Sequence, residues 1–397
     1  MSQALLPRTA SAVQARVATS AMFWVNGAVF ATWVLHIPDV RDRLGLSSAT
    51  VGSALLAIAV GSMLSMPLTG GWIARFGSAA VTRLAALLFS ASLVLPFLAS
   101  NLTLLCVALL VIGLTSGAMD VAMNAQGLAV EQRLERPVMS SFHAWFSFGN
   151  LSGALLGSLL IGLGVSLWPH ALAVSVLCLL LVALGAGRLL PANLDIRDRQ
   201  TQTEDAARPL PRTPMVLLLG ALCFLGMMGE GATGDWSGLY FSDVLKATGA
   251  ALGLGYSAFT LAMLVGRIFG DRWRHRFGDQ LVVTSGALLS GLGMLLAVLS
   301  PSLWLSTLGF LLTGLGVANI VPVLYGAAGR AFSGHGIARV ATLGYAGFLA
   351  GPPLIGFVAH ELNLRWGLGV VTVSLLIVAL LGGQVYRQLA RLDPASS

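Results

Sequence analysis

The feature that most constrains this chain is a succession of long apolar runs, each about as long as a helix that crosses a membrane. Such a helix needs about 20 consecutive, mainly apolar residues to span the hydrocarbon core of a bilayer. The runs cover 16–37, 49–70, 80–99, 103–126, 139–163 and 168–189, and then 214–236, 251–272, 281–299, 303–327, 340–360 and 367–387. They lack the alternation of period two that is typical of barrel strands. The sequence therefore predicts an all-α membrane protein with about 12 transmembrane helices.

The composition indicates a lipid environment. Hydrophobic residues make up 56% of the 397 residues and charged residues only 10%, whereas a soluble domain carries about 25% charged residues. So few charges could not cover a surface that faces water, and we expect the lipid bilayer to surround the chain. The first run, 16–37, is too long for the apolar part of a cleaved signal peptide, so we expect it to be retained as an anchor.

The basic residues are distributed asymmetrically among the predicted loops. If the N-terminus is cytoplasmic, only Arg41, Arg43, Lys246 and Arg365 of the 23 lysines and arginines fall on the outer side. An excess of basic residues on the cytoplasmic side is typical of membrane proteins, so we predict that both termini are cytoplasmic. The net charge of +7 then reflects topology. Because the arginines are dispersed among short loops, the charge does not indicate a nucleic-acid partner.

A polar segment separates the runs into two sets of six. Residues 191–213 combine charged residues with prolines, a composition that favours a flexible cytoplasmic linker. We therefore predict an N-terminal six-helix bundle at 1–190 and a C-terminal six-helix bundle at 214–397.

The two sets are related by an internal repeat. A shift of 201 positions places GWIARFG at 71–77 on RWRHRFG at 272–278 and pairs Gly77 with Gly278. Duplicated six-helix halves are typical of transporters whose substrate site lies between the halves, near the middle of the membrane. Rocking of the halves would then open the site to one side at a time.

The repeated loops resemble those of the major facilitator superfamily. That family has the pattern G-x-x-x-D-R-x-G-R-R between helices 2 and 3, and GGWIARFGSAA at 70–80 matches it in part, with Ala74 in place of the aspartate. The second copy is GRIFGDRWRHRFG at 266–278. The resemblance implies a gating role for the loop residues Arg75, Gly77, Arg267, Asp271 and Arg276.

Three further segments resemble the fucose-permease-like group of this superfamily, and within it the YbjJ-type transporters of the bacterial inner membrane. They are AMDVAMNAQ (118–126), SSFHAWFSFG (140–149) and GEGATGDWSGLYFSDVL (229–245). In the fucose permeases, an acid in helix 4 carries the proton, and an asparagine four residues later contacts the substrate. Asp120 and Asn124 match these two positions. The resemblance implies uptake by proton symport and a place in the bacterial inner membrane, which is the plasma membrane.

Ionisable residues within the runs are candidates for proton coupling, since each costs at least about 2.5–3.5 kcal/mol on insertion scales. Asp120 lies one turn from Asn124 on the same helix face, and a carboxylate shielded from water is favoured to bind a proton. We predict that His143 is its partner, because histidine can relay protons. Glu230 lies in helix 7, where nearby glycines predict an interrupted helix that lines a cavity. The alternative for Asp120 is a structural acid that pairs with a buried histidine or arginine.

Neutral polar and aromatic residues in the runs are candidate substrate contacts. Besides Asn124, they are Asn26, Asn319, Trp33 and Tyr345. Asparagine amides can hydrogen-bond a polar solute and aromatic rings can stack on it. The alternative is that these residues bond between helices or anchor the chain at the membrane interface.

Motifs for catalysis, cofactors and metals are missing from the sequence. The glycine-rich stretches lie in apolar runs and lack both the lysine of a P-loop and the acid of a dinucleotide site. The histidines are too scattered for a metal site. We therefore predict no enzymatic activity, no cofactor and no metal.

These observations favour a secondary active transporter that is coupled to protons and moves a small organic solute by alternating access. A proton-driven efflux antiporter for drugs or metabolites is the main alternative, because an apolar cavity with acids would suit lipophilic cations. A non-transporting membrane receptor is a further alternative, although short cytoplasmic segments leave little room for a partner to dock. Because the two-half plan needs no second copy, we expect a functional monomer.

Overall fold

A computed structural model describes residues 8–135, 138–191 and 214–392, and these residues form helices and no strand. The first part contains α1 (Arg8–Leu35), α2 (Ile37–Leu44), α3 (Ser48–Phe76), α4 (Ser78–Ser92), α5 (Leu95–Leu98), α6 (Leu102–Leu134), α7 (Met139–Gly162) and α8 (Leu167–Ala186). The second part contains α9 (Pro214–Asp243), a short 3-10 helix (Gly249–Gly253), α10 (Leu254–Leu299), α11 (Leu303–Val317), α12 (Ile320–Glu361) and α13 (Leu364–Leu392). Most of the predicted linker, 192–213, lies outside the described residues.

Eleven stretches of the described chain are long and apolar enough to cross a membrane. One of them, Gly249–Leu299, has 51 residues and includes Gly278, where the backbone is not helical. This stretch comprises two spans, so the prediction of about twelve transmembrane helices in an all-α fold is confirmed. Some helices run well past the apolar runs that predicted them. An example is α6, with 33 residues, because a helix can continue beyond the hydrocarbon core into the interfacial region.

The internal repeat is visible in the backbone conformation. Gly77, between α3 and α4, has φ 78° and ψ 155°. Gly278, at the break in α10, has φ 79° and ψ 157°. Residues with a side chain are essentially excluded from this part of backbone space. The same strained turn therefore recurs at the predicted shift of 201 positions, with glycine at both places.

The arginines that precede these glycines also repeat a contact. The guanidinium carbon of Arg75 lies 5.1 Å from the centre of the Phe76 ring, and that of Arg276 lies 5.4 Å from the Phe277 ring. A guanidinium over an aromatic face is stabilised by the charge distribution of the ring. The repeat thus extends from the sequence to side-chain packing.

The chain divides into two compact units. The first unit comprises Met1–Leu44 and Ala57–Arg199, and the second comprises Gly45–Leu56 and Gln200–Ser397. The second unit thus includes the start of α3. Within this unit, a Cβ on Gly52 would lie 2.5 Å from the carbonyl oxygen of Pro352. A residue without a side chain permits this close approach.

The first unit is built around α1, which packs mainly against α7 and also contacts α6 and α8. Gly27 and Gly149 allow the α1 and α7 backbones to meet, since a Cβ on Gly27 would lie 2.7 Å from the amide nitrogen of Asn150. A Cβ on Gly153 would lie 2.9 Å from the Cβ of Ala31. Small residues at helix contacts are the usual means of close packing in membranes.

The second unit pairs α9 with α12 and α10 with α11. Gly347 of α12 lies against the α9 backbone, since a Cβ there would be 3.0 Å from the amide nitrogen of Met228. Gly231 of α9 makes room for the ring of Phe348. The glycines of α9 therefore serve helix packing, and α9 is continuous from Pro214 to Asp243. The prediction of an interrupted helix near Glu230 is wrong.

Two of the arginines that break the predicted charge asymmetry cap helix ends. Arg43 donates to three carbonyls at the end of α5, including that of Phe97 at 2.5 Å. Arg365 donates to the carbonyls of Val298 and Ser300 at the end of α10. Carbonyls in the last turn of a helix lack partners within the helix and attract positive charge. These two arginines thus have a local structural reason to stand where they do, and the orientation of the termini stays a prediction.

Candidate functional site

Asp120 and Asn124 form the polar centre of the first unit. Both lie in α6, between buried apolar neighbours, and both side chains are partly exposed. Asn124 Nδ2 donates to the main-chain oxygen of Asp120 at 2.8 Å and to its carboxylate Oδ1 at 3.2 Å. The spacing of one helical turn brings the two groups onto one face, as the sequence predicted. The amide therefore orients the carboxylate and stabilises its charge through a hydrogen bond.

His143 lies elsewhere in the first unit, near the start of α7. Its side chain is exposed, and its ring meets that of Phe23 edge-on at 5.3 Å between centres. Among the described residues, Asp120 hydrogen-bonds through its side chain only to Asn124. The structure thus shows no hydrogen bond between His143 and Asp120, and their partnership stays a prediction.

The start of α7, which positions His143, is fixed by a carboxylate. Glu131 Oε2 accepts hydrogen bonds from the backbone N–H groups of Val138 and Met139 at 2.6 Å and 2.9 Å. Backbone N–H groups at a helix start have no partner within the helix, and a negative charge there is favourable. Glu131 therefore has a capping role that uses its charge.

Glu230 is paired with an arginine in the second unit. Arg267 Nη2 of α10 donates to Glu230 Oε1 of α9 at 3.1 Å, and the two side chains are 18% and 21% exposed. Glu230 is thus paired with a basic residue of a neighbouring helix. Arg267 lies within α10, a little more than three turns before the break at Gly278, which separates it from the predicted gating loop. Its guanidinium compensates the charge of Glu230.

The loop of the second unit is held by a residue that the sequence prediction missed. Asp279 follows the break at Gly278, accepts from Arg274 Nε at 2.9 Å and also pairs with Arg330 of α12. Asp271 is exposed, and its carboxylate lies 3.5 Å from Arg274 Nη1. The repeat offered a signal, because a shift of 201 positions pairs Asp279 with Ser78.

Ser78 has the equivalent structural task in the first unit. Its Oγ accepts from Gln126 Nε2 of α6 at 2.7 Å, and Gln126 also bonds to both the carbonyl and the N–H of Leu190. In each unit, the residue after the strained glycine is thus tied to a neighbouring helix. In the first unit, the tie is a hydrogen bond from the neutral amide of Gln126 to Ser78. In the second unit, it is the ion pair between the Asp279 carboxylate and Arg330.

The remaining candidate substrate contacts differ in their bonding. Asn26 and Trp33 of α1 are each 3% exposed, and Asn26 Nδ2 and Trp33 Nε1 have no hydrogen-bond partner in the described part of the chain. Asn319 is buried and donates from Nδ2 to the Gly266 carbonyl at 2.8 Å. Asn319 therefore ties the start of α12 to α10, which is the alternative role of an interhelical bond. Tyr345 of α12 is partly exposed.

A histidine pair that the sequence did not suggest lies at the corner between α1 and α2. His36 Nδ1 lies 2.6 Å from Asp39 Oδ2, and His36 Nε2 lies 2.7 Å from His170 Nδ1 of α8. Both imidazoles are buried, and His170 Nε2 has no partner among the described residues. The two histidines are separated by 134 positions, so no local pattern reveals the contact. Within the described chain, no group of three or more His, Cys, Asp or Glu residues could hold a metal ion.

One family model matches nearly the whole chain. The family model described as Major Facilitator Superfamily matches residues 15–248 and 219–394. An uncharacterized MFS-type transporter of Yersinia pestis is 36% identical over 370 residues, which cover 92% of this chain and 94% of that protein. Membrane protein MosC of Rhizobium meliloti is 36% identical over 365 residues, which cover 91% of this chain and 88% of that protein.

Comparison with solved structures gives the same fold. A D-xylose–proton symporter superimposes with a TM-score of 0.73 at 14% identity, covering 94% of this chain and 96% of that one. The nucleoside transporter NupG superimposes with a TM-score of 0.70 at 12% identity, covering 95% and 99%. At these identities the likeness concerns the fold alone.

Proposed function

Because the chain belongs to the Major Facilitator Superfamily, we propose that it is a proton-coupled secondary transporter that carries a small organic solute by alternating access. Asp120 carries the proton. The solute moves by symport into the cell, in keeping with the resemblance of residues 118–126 to the fucose-permease-like group. The protein works as a monomer in the bacterial inner membrane, with both termini in the cytoplasm.

The observation that carries this proposal is the bonding of Asp120. Its carboxyl lies within the α6 span, is partly exposed, and has a neutral amide as its side-chain partner with no cation among the described residues. A carboxylate at membrane depth with no compensating charge is costly and marks a functional site. Uptake of a proton removes that cost. Such a group can bind a proton when it faces one side and release it when it faces the other.

The two other candidates for proton coupling take supporting roles. Glu230 has its charge compensated by Arg267, so it has less to gain from a proton than Asp120 does. Protonation of Glu230 would release the Arg267 guanidinium, so that binding of a proton by Glu230 and breaking of the ion pair would occur together. His143 is exposed, which suits exchange of protons with water more than a direct transfer to Asp120.

The proposed substrate contacts in the first unit are Asn124, Asn26 and Trp33. Asn124 lies beside the proton carrier, so occupancy by solute and by proton can influence each other. The unpartnered polar atoms of Asn26 and Trp33 are costly while buried, and a polar solute would satisfy them once movement of α1 opens a path. Tyr345 offers a ring to the solute from the second unit.

The proposed gate uses the two turns at Gly77 and Gly278. Their backbone conformations are fixed by glycine, and Arg75, Arg276 and Asp271 are exposed beside them. Charged side chains on such turns can form and break pairs as the helices that they join change position.

A second candidate is proton-driven efflux of organic cations. It is favoured by the uncompensated charge of Asp120, because an acid in a mostly apolar span attracts lipophilic cations as well as protons. Symport and antiport differ in one measurable sign. During symport, protons move with the solute, and during antiport they move against it.

Reconstitution in liposomes with an internal pH dye tests the proposal. A panel of sugars, nucleosides, carboxylates and amines is added outside, and the internal pH is followed. We expect at least one solute to drive acidification of the lumen, which indicates symport, whereas alkalinisation indicates efflux by antiport. Asp42→Asn is the matched control for the Asp120→Asn variant, since Asp42 is an exposed acid paired with Arg41. Net solute uptake that moves no protons would contradict proton coupling.

A further inference from the structure

Asp235 is an acid of the second unit that lies within a candidate membrane span. It belongs to α9, which is continuous from Pro214 to Asp243, and its side chain is partly exposed. In the described part of the chain, it makes no hydrogen bond and no ion pair. Ionisable groups at this depth are normally paired or face a cavity, so Asp235 requires an explanation.

An aromatic ring lies next to this acid. A Cβ on Gly234 would lie 3.5 Å from Cε2 of Tyr256, which places the phenol of α10 beside the α9 backbone at the residue before Asp235. The absence of a side chain at Gly234 leaves room for this approach. The acid thus directly follows a position that an aromatic ring approaches, and cations are attracted to aromatic rings.

The charges around Asp235 do not balance. Glu230, five positions earlier on α9, is compensated by Arg267. That pair leaves one further carboxylate, Asp235, with no cation of its own among the described residues.

The other helices packed against α9 do not supply the missing charge. On α12, Arg330 bonds to Asp279, Arg339 has an interaction that does not involve Asp235, and His360 and Glu361 are exposed at the end of the helix. On α13, Arg365 donates to carbonyls at the end of α10, and Arg387 is exposed. These cations bond to other groups or are exposed to solvent, so none of them compensates the charge of Asp235.

We propose that Asp235, with the ring of Tyr256 beside it, binds a monovalent cation during transport. The cation is either a proton or the ammonium group of an aminated solute, since a carboxylate can bind either one and an aromatic ring nearby further favours an ammonium group. The inference rests on the proposed transport function and extends it to the second unit. There Asp235 is the residue that binds the cation, and Glu230 is held by Arg267.

Carbodiimide labelling tests this inference without any transported substrate. Dicyclohexylcarbodiimide adds to protonated carboxyl groups in apolar surroundings, and mass spectrometry locates the adduct on the α9 peptide. We expect labelling of Asp235 to fall at least about tenfold between about pH 5 and about pH 9, as the acid loses its proton. Glu230 is the internal comparison and should be labelled less than Asp235 at acid pH. Asp235→Asn should remove the adduct at this position.

A second arm identifies the cation. At neutral pH, millimolar n-butylammonium is compared with the same concentration of sodium chloride. Protection of Asp235 by at least about twofold assigns the site to an ammonium group, and pH-dependent labelling without protection assigns it to a proton. Labelling that is independent of pH and of n-butylammonium, or that occurs on Glu230 but not on Asp235, would overturn the inference. Because labelling needs no transport, these results are separate from a failure of proton coupling.

Discussion

Asn124 donates one amide nitrogen to two oxygens of Asp120, the main-chain oxygen at 2.8 Å and the carboxylate Oδ1 at 3.2 Å. The asparagine is thereby fixed against the helix backbone, and the carboxylate is fixed against the asparagine. One face of α6 thus presents an oriented acid whose only side-chain hydrogen bond in the described structure comes from a neutral group.

Asn124→Ala should reduce proton-coupled transport by roughly fivefold, because a hydrogen bond to a charged group stabilises it by about 1 kcal/mol or more. The measurement is the solute-driven change of luminal pH in proteoliposomes. Asn101→Ala is the matched control on the same helix, since Asn101 caps the start of α6 by accepting from the Leu104 N–H. That variant should lose stability but keep its coupling. Equal coupling in Asn124→Ala and wild type would contradict this role.

Gly278→Ala should destabilise the second unit by about 1–3 kcal/mol, because its φ of 79° is unfavourable for alanine. The apparent Tm in detergent measures the effect, and Gly77→Ala should behave alike, since it has the same backbone conformation. Gly71→Ala is the control, because Gly71 lies within α3 and has open space where a Cβ would stand. Alanine there should be neutral or stabilising. A Gly278→Ala variant that melts no lower than wild type would be inconsistent with a strained turn.

Arg267→Gln should lower stability by about 2–4 kcal/mol, because it leaves the Glu230 carboxylate without a compensating charge. The effect should be below that of a fully buried pair, since both side chains are about one-fifth exposed. Adding Glu230→Gln to this variant should restore part of the loss. Apparent Tm values of wild type, the two single variants and the double variant complete a double-mutant cycle. A double variant as unstable as the sum of the single ones would show that the pair is not coupled.

His36→Ala should destabilise the first unit by about 1–3 kcal/mol, because it leaves the buried imidazole of His170 without its partner. His275→Ala is the control, since His275 is exposed and should change stability by less than about 0.5 kcal/mol. Thermal melting in detergent compares the two. Equal melting temperatures would mean that the histidine chain contributes nothing to stability.

The fold follows from the sequence because its main signals are local or repeated. Apolar length predicts each span, and a fixed shift relates Gly77 to Gly278 down to the backbone angles. The contact of Asn124 with Asp120 is one helical turn long, so sequence spacing alone places the two together. The proximity of Asp120 and Asn124 was therefore predictable from the sequence.

The rest of the site depends on contacts between distant helices, which sequence spacing does not reveal. Arg267 stands near a loop motif in the sequence, yet its guanidinium reaches Glu230 on another helix. The glycines near Glu230 suggested an interrupted helix. They instead make room for side chains of neighbouring helices, such as Phe348 beside Gly231. His170 is another case, because its partner is 134 positions away.

Solute exchange and proton movement measured side by side in the Asp120→Asn variant test the central claim most directly. Exchange is followed as the entry of labelled solute into proteoliposomes loaded with unlabelled solute, and the luminal pH is followed during net uptake into a parallel set that contains no solute. The account predicts that Asp120→Asn keeps exchange of solute and loses the solute-driven pH change, while Asp42→Asn keeps both. A pH change as large in Asp120→Asn as in wild type, at equal exchange, would contradict the assignment of Asp120 as the proton carrier.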